Sequence, residues 1–366
     1  MPSCCSPTPT VTLARSRADV QDLPTAHGEP PVRGRIRMAP EDFRVTEILG
    51  FAADGEGPHV LLEVEKRGAN TGWVAAQLAR AAGVQPREVG WSGLKDRDAV
   101  TRQSFSLPWP GHSAVEGCLE FGGEGYRVLA ASRHGRKLRP GSHRANRFAL
   151  TVRDVSGNLD ALSERLRTIA AQGVPNYFGP QRFGRAGSNL LRARDWAEGG
   201  PAPRDRAVRG YALSAARSEI YNQVAAERVR QGAWNVLLEG EAVLLDGRRS
   251  YFSAGTIDET LRERCRTMDV HPSAPLWGRG ATPALAAARE IEERALTGTA
   301  PLQRLLEAQG LDHERRSVRL PVRGLSWRFD AGLLELEFEL PRGAYATAVL
   351  HELLAGAWTD EAGVDD

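Results

Sequence analysis

The sequence predicts an α+β fold: a mixed or antiparallel sheet built from both ends of the chain, interrupted by a largely helical α+β insertion. Three observations predict it. Period-two alternation of apolar and polar residues marks strands near both ends, whereas helical periodicity dominates from about Val174 to Leu320. The 366 residues exceed what one domain needs at roughly 100–200 residues each. Gly/Pro-rich turns such as His271-Pro272-Ser273-Ala274-Pro275 punctuate the middle, and no repeat of 20–50 residues runs through the chain. The expected division is a leader over 1–30, a sheet-bearing unit over 31–172 and 321–366, and the insertion over 173–320.

Residues 1 to about 30 are rich in Ser, Thr, Pro and Arg without periodicity, so a mobile leader is expected, with order starting near Arg35. Phe43 and Val45 alternate with polar neighbours, and His59 to Lys66 reads as a strand. Asn70-Thr71 offers caps for a helix with Val74, Leu78 and Ala81 on one face, stopped by Gly83. Phe148, Leu150 and Val152 alternate with polar residues in a strand with one wet face. Asn158 then caps a helix whose stripe is Leu159, Leu162, Leu166 and Ile169, ended by Gly173. In the insertion, Leu213–Val229 and Ala284–Ala295 carry helical patterns. Leu334, Leu336, Phe338 and Leu340 alternate with three glutamates, Pro341 and Gly343 break that strand, and Ala344 to Leu354 reads as an apolar helix.

Composition excludes several classes. With 41% hydrophobic and 26% charged residues the chain is an ordinary globular protein. It has no run near the roughly 18 apolar residues of a bilayer span. It has no signal-type N-terminus either, so the cytoplasm is expected by elimination. Cys4, Cys5, Cys118 and Cys265 form no CxxC pair, which argues against a disulfide scaffold or a cysteine zinc site. The net charge of +2 conceals two biases. Of 48 basic residues only Lys66, Lys95 and Lys137 are lysine, so each retained ammonium is notable. Between Arg127 and Arg147 stand Arg127, Arg133, Arg136, Lys137, Arg139, Arg144 and Arg147 with no acid, and His134 and His143 add hydrogen-bonding capacity. Such a segment in a near-neutral chain reads as a polyanion footprint. The acids Asp360, Glu361, Asp365 and Asp366 close the chain.

No phosphate loop, dinucleotide fingerprint, HExxH or GxSxG occurs, and no histidines pair at i, i+4, so chemistry without metal or cofactor is expected. The densest polar knot is Gly93-Leu94-Lys95-Asp96-Arg97-Asp98-Ala99-Val100-Thr101-Arg102-Gln103. The cations flanking Asp96 favour its ionised form, which suits a nucleophile or base. A solvated turn with local ion pairs is the alternative. A glycosidase pair of Asp96 with Asp98 would need about 5–10 Å between carboxyls, which i, i+2 neighbours rarely give. Asn146-Arg147-Phe148 offers an amide, a cation and a ring to an unstacked base, or simply starts a strand whose Phe148 packs in the core. Asn176 to Gly184 is either an RNA-contacting loop or an apolar hinge. Tyr345, among small residues at a strand-to-helix corner, has room for a ligand or packs in the core.

Taken together, Pro40-Glu41-Asp42-Phe43, the runs at 93–103 and 134–148, GVPNYFGPQRFG at 173–184 and LPRGAYAT at 340–347 resemble the tRNA pseudouridine synthase D (TruD) family, in the family's order. The resemblance implies cofactor-free isomerisation of a uridine in tRNA, typically uridine 13, to pseudouridine. It also implies a discontinuous catalytic domain and an inserted TRUD domain forming an RNA cleft. Asp96 matches the family's catalytic aspartate. Phe43, Asn146, Phe148 and Tyr345 match positions for the freed base, Arg37 one that could pair with Asp96, and Lys95 the residue beside it. Arg136, Lys137, Arg139 and Arg144 are expected on the RNA backbone, with tRNA the partner and no metal. A non-catalytic RNA-binding module and a nucleoside hydrolase remain the rival readings.

Overall fold

The computed structural model describes residues 23–111 and 113–356. In chain order they form β1 (Val32–Arg35), β2 (Phe43–Ile48), β3 (His59–Arg67), α1 (Thr71–Ala82), β4 (Gly90–Trp91), β5 (Val100–Pro108), β6 (Gly122–Gly123), β7 (Tyr126–His134), β8 (Ala145–Gly157) and α2 (Leu159–Gln172). There follow β9 (Val174–Pro175), α3 (Ser188–Ala197), α4 (Arg206–Arg230), β10 (Glu241–Leu245), β11 (Tyr251–Ala254), α5 (Glu259–Arg266), β12 (Val270–His271), β13 (Ser273–Leu276), α6 (Ala286–Ala295) and α7 (Ala300–Ala308). The chain returns through β14 (Glu314–Ser317), β15 (Arg319–Leu320), β16 (Arg323–Asp330), β17 (Leu333–Pro341) and α8 (Ala346–Leu353).

Ten strands form one mixed sheet in the order β16-β17-β8-β2-β5-β3-β7-β6, with β1 added to β8 and β4 to β5. β2 and β5 run parallel, while β8 pairs antiparallel with both β2 and β17. The fold class is therefore α+β. Side-chain alternation gives the sheet two unlike faces. On one, Phe43, Val45, Phe148, Leu150, Leu336 and Phe338 pack with Leu162, Leu166 and Ile169 of α2 and Val349 and Leu350 of α8. On the same face Val60, Leu62, Val64 and Phe105 meet Val74 and Leu78 of α1. The other face carries cross-strand charge ladders, Arg102 and Arg127 on Glu65 and Arg147 on Glu339.

Local chemistry explains the element ends. Asn158 accepts from Ala161 N at 2.9 Å and so caps α2, and Gly83 closes α1 at φ 68, where a side chain would be strained. Some expectations shift. Asn70 occupies the N-cap of α1 without a side-chain cap bond, and Ala75 and Ala79 complete its buried face while Ala81 is exposed. Leu159 lies outside the α2 stripe, 45% exposed, because it sits at the first turn facing solvent.

Residues 174–320 add no strand to the large sheet. Their elements have apolar clusters of their own, one around Ala212, Ala216, Ile220 and Val224 of α4, the other around Val243 and Val270. Arg228 and Glu241 form a fully buried pair there, Arg228 Nη2 donating to both carboxylate oxygens at 2.9 Å. The outgoing and returning chains run side by side, β9 pairing antiparallel with β15. Part of the expected leader is held in place: Ala26 N and His27 N donate to the buried Glu352 at 2.8 and 3.1 Å, and the His27 ring meets Trp234 edge-on, so the chain is already anchored before Arg35. The rest of the leader and the terminal acids lie outside the described residues. Cys118 and Cys265 are buried free thiols, and among the described residues no helix is long and apolar enough to cross a membrane.

Candidate functional site

β4 pairs antiparallel with β5, so the Gly93–Asp96 loop turns at the end of the sheet, beside the first turn of α1. The Asp96 side chain is 47% exposed, and its Oδ2 accepts from Arg37 Nη2 at 3.0 Å. Arg37 is held in the left-handed region at φ 56, unusual for a residue with a Cβ, and its guanidinium covers the Phe43 ring at 4.2 Å. The Pro40-Glu41-Asp42 turn that aims this stretch is anchored by charge. Asp42, buried, takes a bidentate contact from Arg153 at 2.7–3.1 Å and caps Ala39 N, and the Arg153 hydrogen bond holds its carboxyl below the usual range.

Lys95 points inward, its Nζ 2.8 Å from Glu47 Oε2, with side chains 6% and 0% exposed. Glu47 in turn accepts from Ser104 N. Lys66, at the end of β3, is 1% exposed and donates to the carbonyls of Ala69, Asp96 and Lys95 at 2.8, 2.8 and 3.4 Å. Burial pushes its ammonium down to about 8. Thr71 Oγ1 accepts from Lys95 N and donates to Gln103, whose amide donates to Gly93 O.

The aromatic and amide residues divide. Asn146 is buried opposite Leu340 and Glu47, and its Oδ1 has no hydrogen-bond partner among the described residues. Phe148 is 6% exposed and stacked on Phe338 with centroids 5.5 Å apart, so it packs the core rather than offering an open platform. Its parity in β8 puts it on the helix-covered face. Phe43, 3% exposed, meets it edge-on. Tyr345 precedes α8, and its hydroxyl accepts from Arg182 Nη2 at 2.5 Å, while Arg182 also donates to Ser214. Its ring meets that of Phe178 edge-on at 6.1 Å, so Tyr345 ties the start of α8 to the stretch between β9 and α3. No contact brings Tyr345 to Asp96 among the described residues. A concavity of about 260 Å³ opens beside Leu61, Glu63, Arg102 and Ser104 on the opposite face, and Asp96 does not line it.

The basic segment also divides. Arg127 and Arg147 pair with Glu65 and Glu339, both at 2.6 Å. Arg133 donates to the carbonyls of Trp109, Pro110 and Ser113, and Lys137 to that of Arg87 at 2.5 Å. His134 and His143 are buried, His134 with its Nδ1 2.9 Å from Asp54 Oδ2, and desolvation pushes His143 below its ordinary range. Arg136, Arg139 and Arg144 are exposed and make no side-chain hydrogen bond or ion pair among the described residues. Sequence reasoning gave no role here to Thr71 or Glu47, flagged Lys66 only as a rare lysine, and held Gln103 and Arg182 only as members of the 93–103 and 176–184 runs. The scarcity of lysine was the one signal, and it pointed at Lys66.

The backbone follows, over 92% of this chain and 96% of the other, a solved structure described as that of a tRNA pseudouridine synthase D (TruD) from Methanosarcina mazei, with TM-score 0.69 and 20% identity. At that identity the likeness speaks for the fold alone. Sequence carries the rest. Residues 24–191 and 206–353 match the family described as tRNA pseudouridine synthase D (TruD). Proteins named tRNA pseudouridine synthase D from Nitrosococcus oceani and Methylococcus capsulatus are 47% and 46% identical, covering 89% and 91% of this chain and 92% and 94% of theirs. The chain belongs to the tRNA pseudouridine synthase D family, an isomerase family.

Proposed function

We propose that this protein converts uridine 13 of tRNA to pseudouridine without a cofactor, with Asp96 the reacting carboxylate. The supporting observation is the Asp96 carboxylate itself: half-exposed, paired with Arg37 at 3.0 Å, on a loop bonded to three neighbouring elements. The reaction breaks N1–C1′, turns the uracil and forms C5–C1′. C5 loses a proton and N1 gains one, so the sum balances without an external reagent. A carboxylate placed at the ribose can attack C1′ or take a proton from C2′, and both begin from the ionised form.

The target base must first leave the stack. We assign the unpaired Asn146 Oδ1 to the N3–H edge of the freed uracil and the Tyr345 ring to its face, with Phe43 and Phe148 as the packed floor. The sheet-bearing segments 31–172 and 321–366 act as the catalytic domain and 173–320 as the inserted domain, the tRNA lying in the cleft between them. Arg136, Arg139 and Arg144 meet its phosphates, with Lys137 beside them. The test is Asp96→Asn with unmodified tRNA: folded, bound, and forming no pseudouridine. Pseudouridine mapped anywhere but position 13 would overturn the site assignment.

A further inference from the structure

The Gly93–Asp96 loop has no apolar anchor of its own, since Leu94 is 73% exposed. Its backbone is fixed by polar groups instead. Lys66 donates to the carbonyls of Lys95 and Asp96, Thr71 accepts from the Lys95 amide, and Gln103 donates to the Gly93 carbonyl. These groups come from β3, α1 and β5, and they are 1%, 2% and 1% exposed. They are also wired in one direction: the Thr71 hydroxyl gives its proton to Gln103 Oε1, which turns the Gln103 amide toward Gly93. Among the described residues Lys66 has no carboxylate within ion-pair distance: its direct partners are backbone carbonyls, and the Asp96 and Asp98 carboxylates act on it only from farther away. Burying a cation this way is costly, and a purely structural clamp would not need one.

We infer that Lys66, Thr71 and Gln103 are positioning residues for the isomerisation, setting the height and direction from which the Asp96 carboxylate meets the ribose. This rests on the reading of Asp96 as the reacting group. The chain itself favours the idea. Where 48 basic residues include only three lysines, one is kept at a point where the carbonyls of Ala69, Lys95 and Asp96 converge. A tetrahedral ammonium satisfies converging carbonyls, and a planar guanidinium does not. A displacement of about 1 Å at a reacting group can cost roughly 100-fold in rate.

The experiment uses the full chain and an unmodified tRNA transcript, and measures single-turnover rate, tRNA Kd and Tm for Lys66→Met, Thr71→Val, Thr71→Ser and Asp96→Asn. Lys66→Met is expected to lose about 100-fold in rate at unchanged Kd. Thr71→Val should lose about tenfold, the worth of roughly one hydrogen bond, and Thr71→Ser should restore it. Wild-type rates in folded Lys66→Met or Thr71→Val, or a loss confined to Kd or Tm, would overturn the inference. Should Lys66→Met not fold, the Thr71 pair decides. An active Asp96→Asn would remove the reading beneath the inference, whereas an inactive one beside wild-type Lys66→Met and Thr71→Val would remove the inference alone.

Discussion

The Gly93–Asp96 loop and the Arg127–Arg147 segment look alike as sequence, both charged and punctuated by turn residues, yet the fold treats them in opposite ways. The loop is bound from beneath by buried Lys66, Thr71, Gln103 and Glu47, leaving one carboxylate toward solvent. The basic segment is sorted: Arg127, Arg133, Lys137 and Arg147 are spent on internal partners, and Arg136, Arg139 and Arg144 are left to the surface. Within the basic segment, then, the arginines left for the proposed phosphate contacts are those to which the fold has given no internal partner.

The largest effect expected under that contrast is on the loop side. Lys95→Met leaves Glu47 as a buried, unpaired carboxylate, and stability should fall by about 3–5 kcal/mol. Adding Glu47→Gln should recover most of it, a coupling that denaturant unfolding of the full cycle reads out. Additive losses would show that the pair is not a unit.

Next comes Tyr345. Tyr345→Ala removes a ring worth about 1–3 kcal/mol of base stacking, so kcat/KM should drop roughly 5- to 150-fold while tRNA affinity holds. Tyr345→Phe keeps the ring but removes one of the two acceptors of Arg182, leaving Ser214, and a smaller loss is expected. A large fall in Tm with normal activity per folded molecule would make Tyr345 a core residue and nothing more.

On the basic segment, tRNA affinity should fall by about 0.7–0.9 log units per decade of salt for each phosphate contact. Replacing Arg136 and Arg139 by alanine should flatten that slope by one to two contacts, whereas the same change at Arg127 and Arg147 should leave it unaltered. Equal effects from both pairs would erase the distinction between spent and available arginines. The smallest effect is none at all. Chelation should leave activity intact on folded tRNA, because the proposed carboxylate chemistry calls on no metal. Loss in EDTA restored by zinc would contradict this.

Much of this was legible in the chain. Asn158 announced α2, the alternation from Leu334 to Leu340 announced β17, and the cations around Asp96 marked the loop. The parity of Phe148 with Leu150 and Val152 already implied a core-facing ring, and the structure follows that implication rather than the platform. What stayed hidden depends on register and on backbone acceptors. Arg127 meets Glu65, and Arg147 meets Glu339, only because particular strands lie opposite one another. Lys66 binds carbonyls, which every residue has, so no side-chain pattern announces it. Arg182 and Tyr345 meet across 163 positions of sequence, through a chain reversal that no local signal encodes.

The central claim is that Asp96 is the group that reacts. A single-turnover reaction of Asp96→Asn with unmodified tRNA, followed by mapping of pseudouridine, tests it most directly. The substitution keeps the size of the side chain and removes its charge, so folding and tRNA affinity should match the wild type while no pseudouridine forms at position 13. Turnover comparable to the wild type would contradict the account.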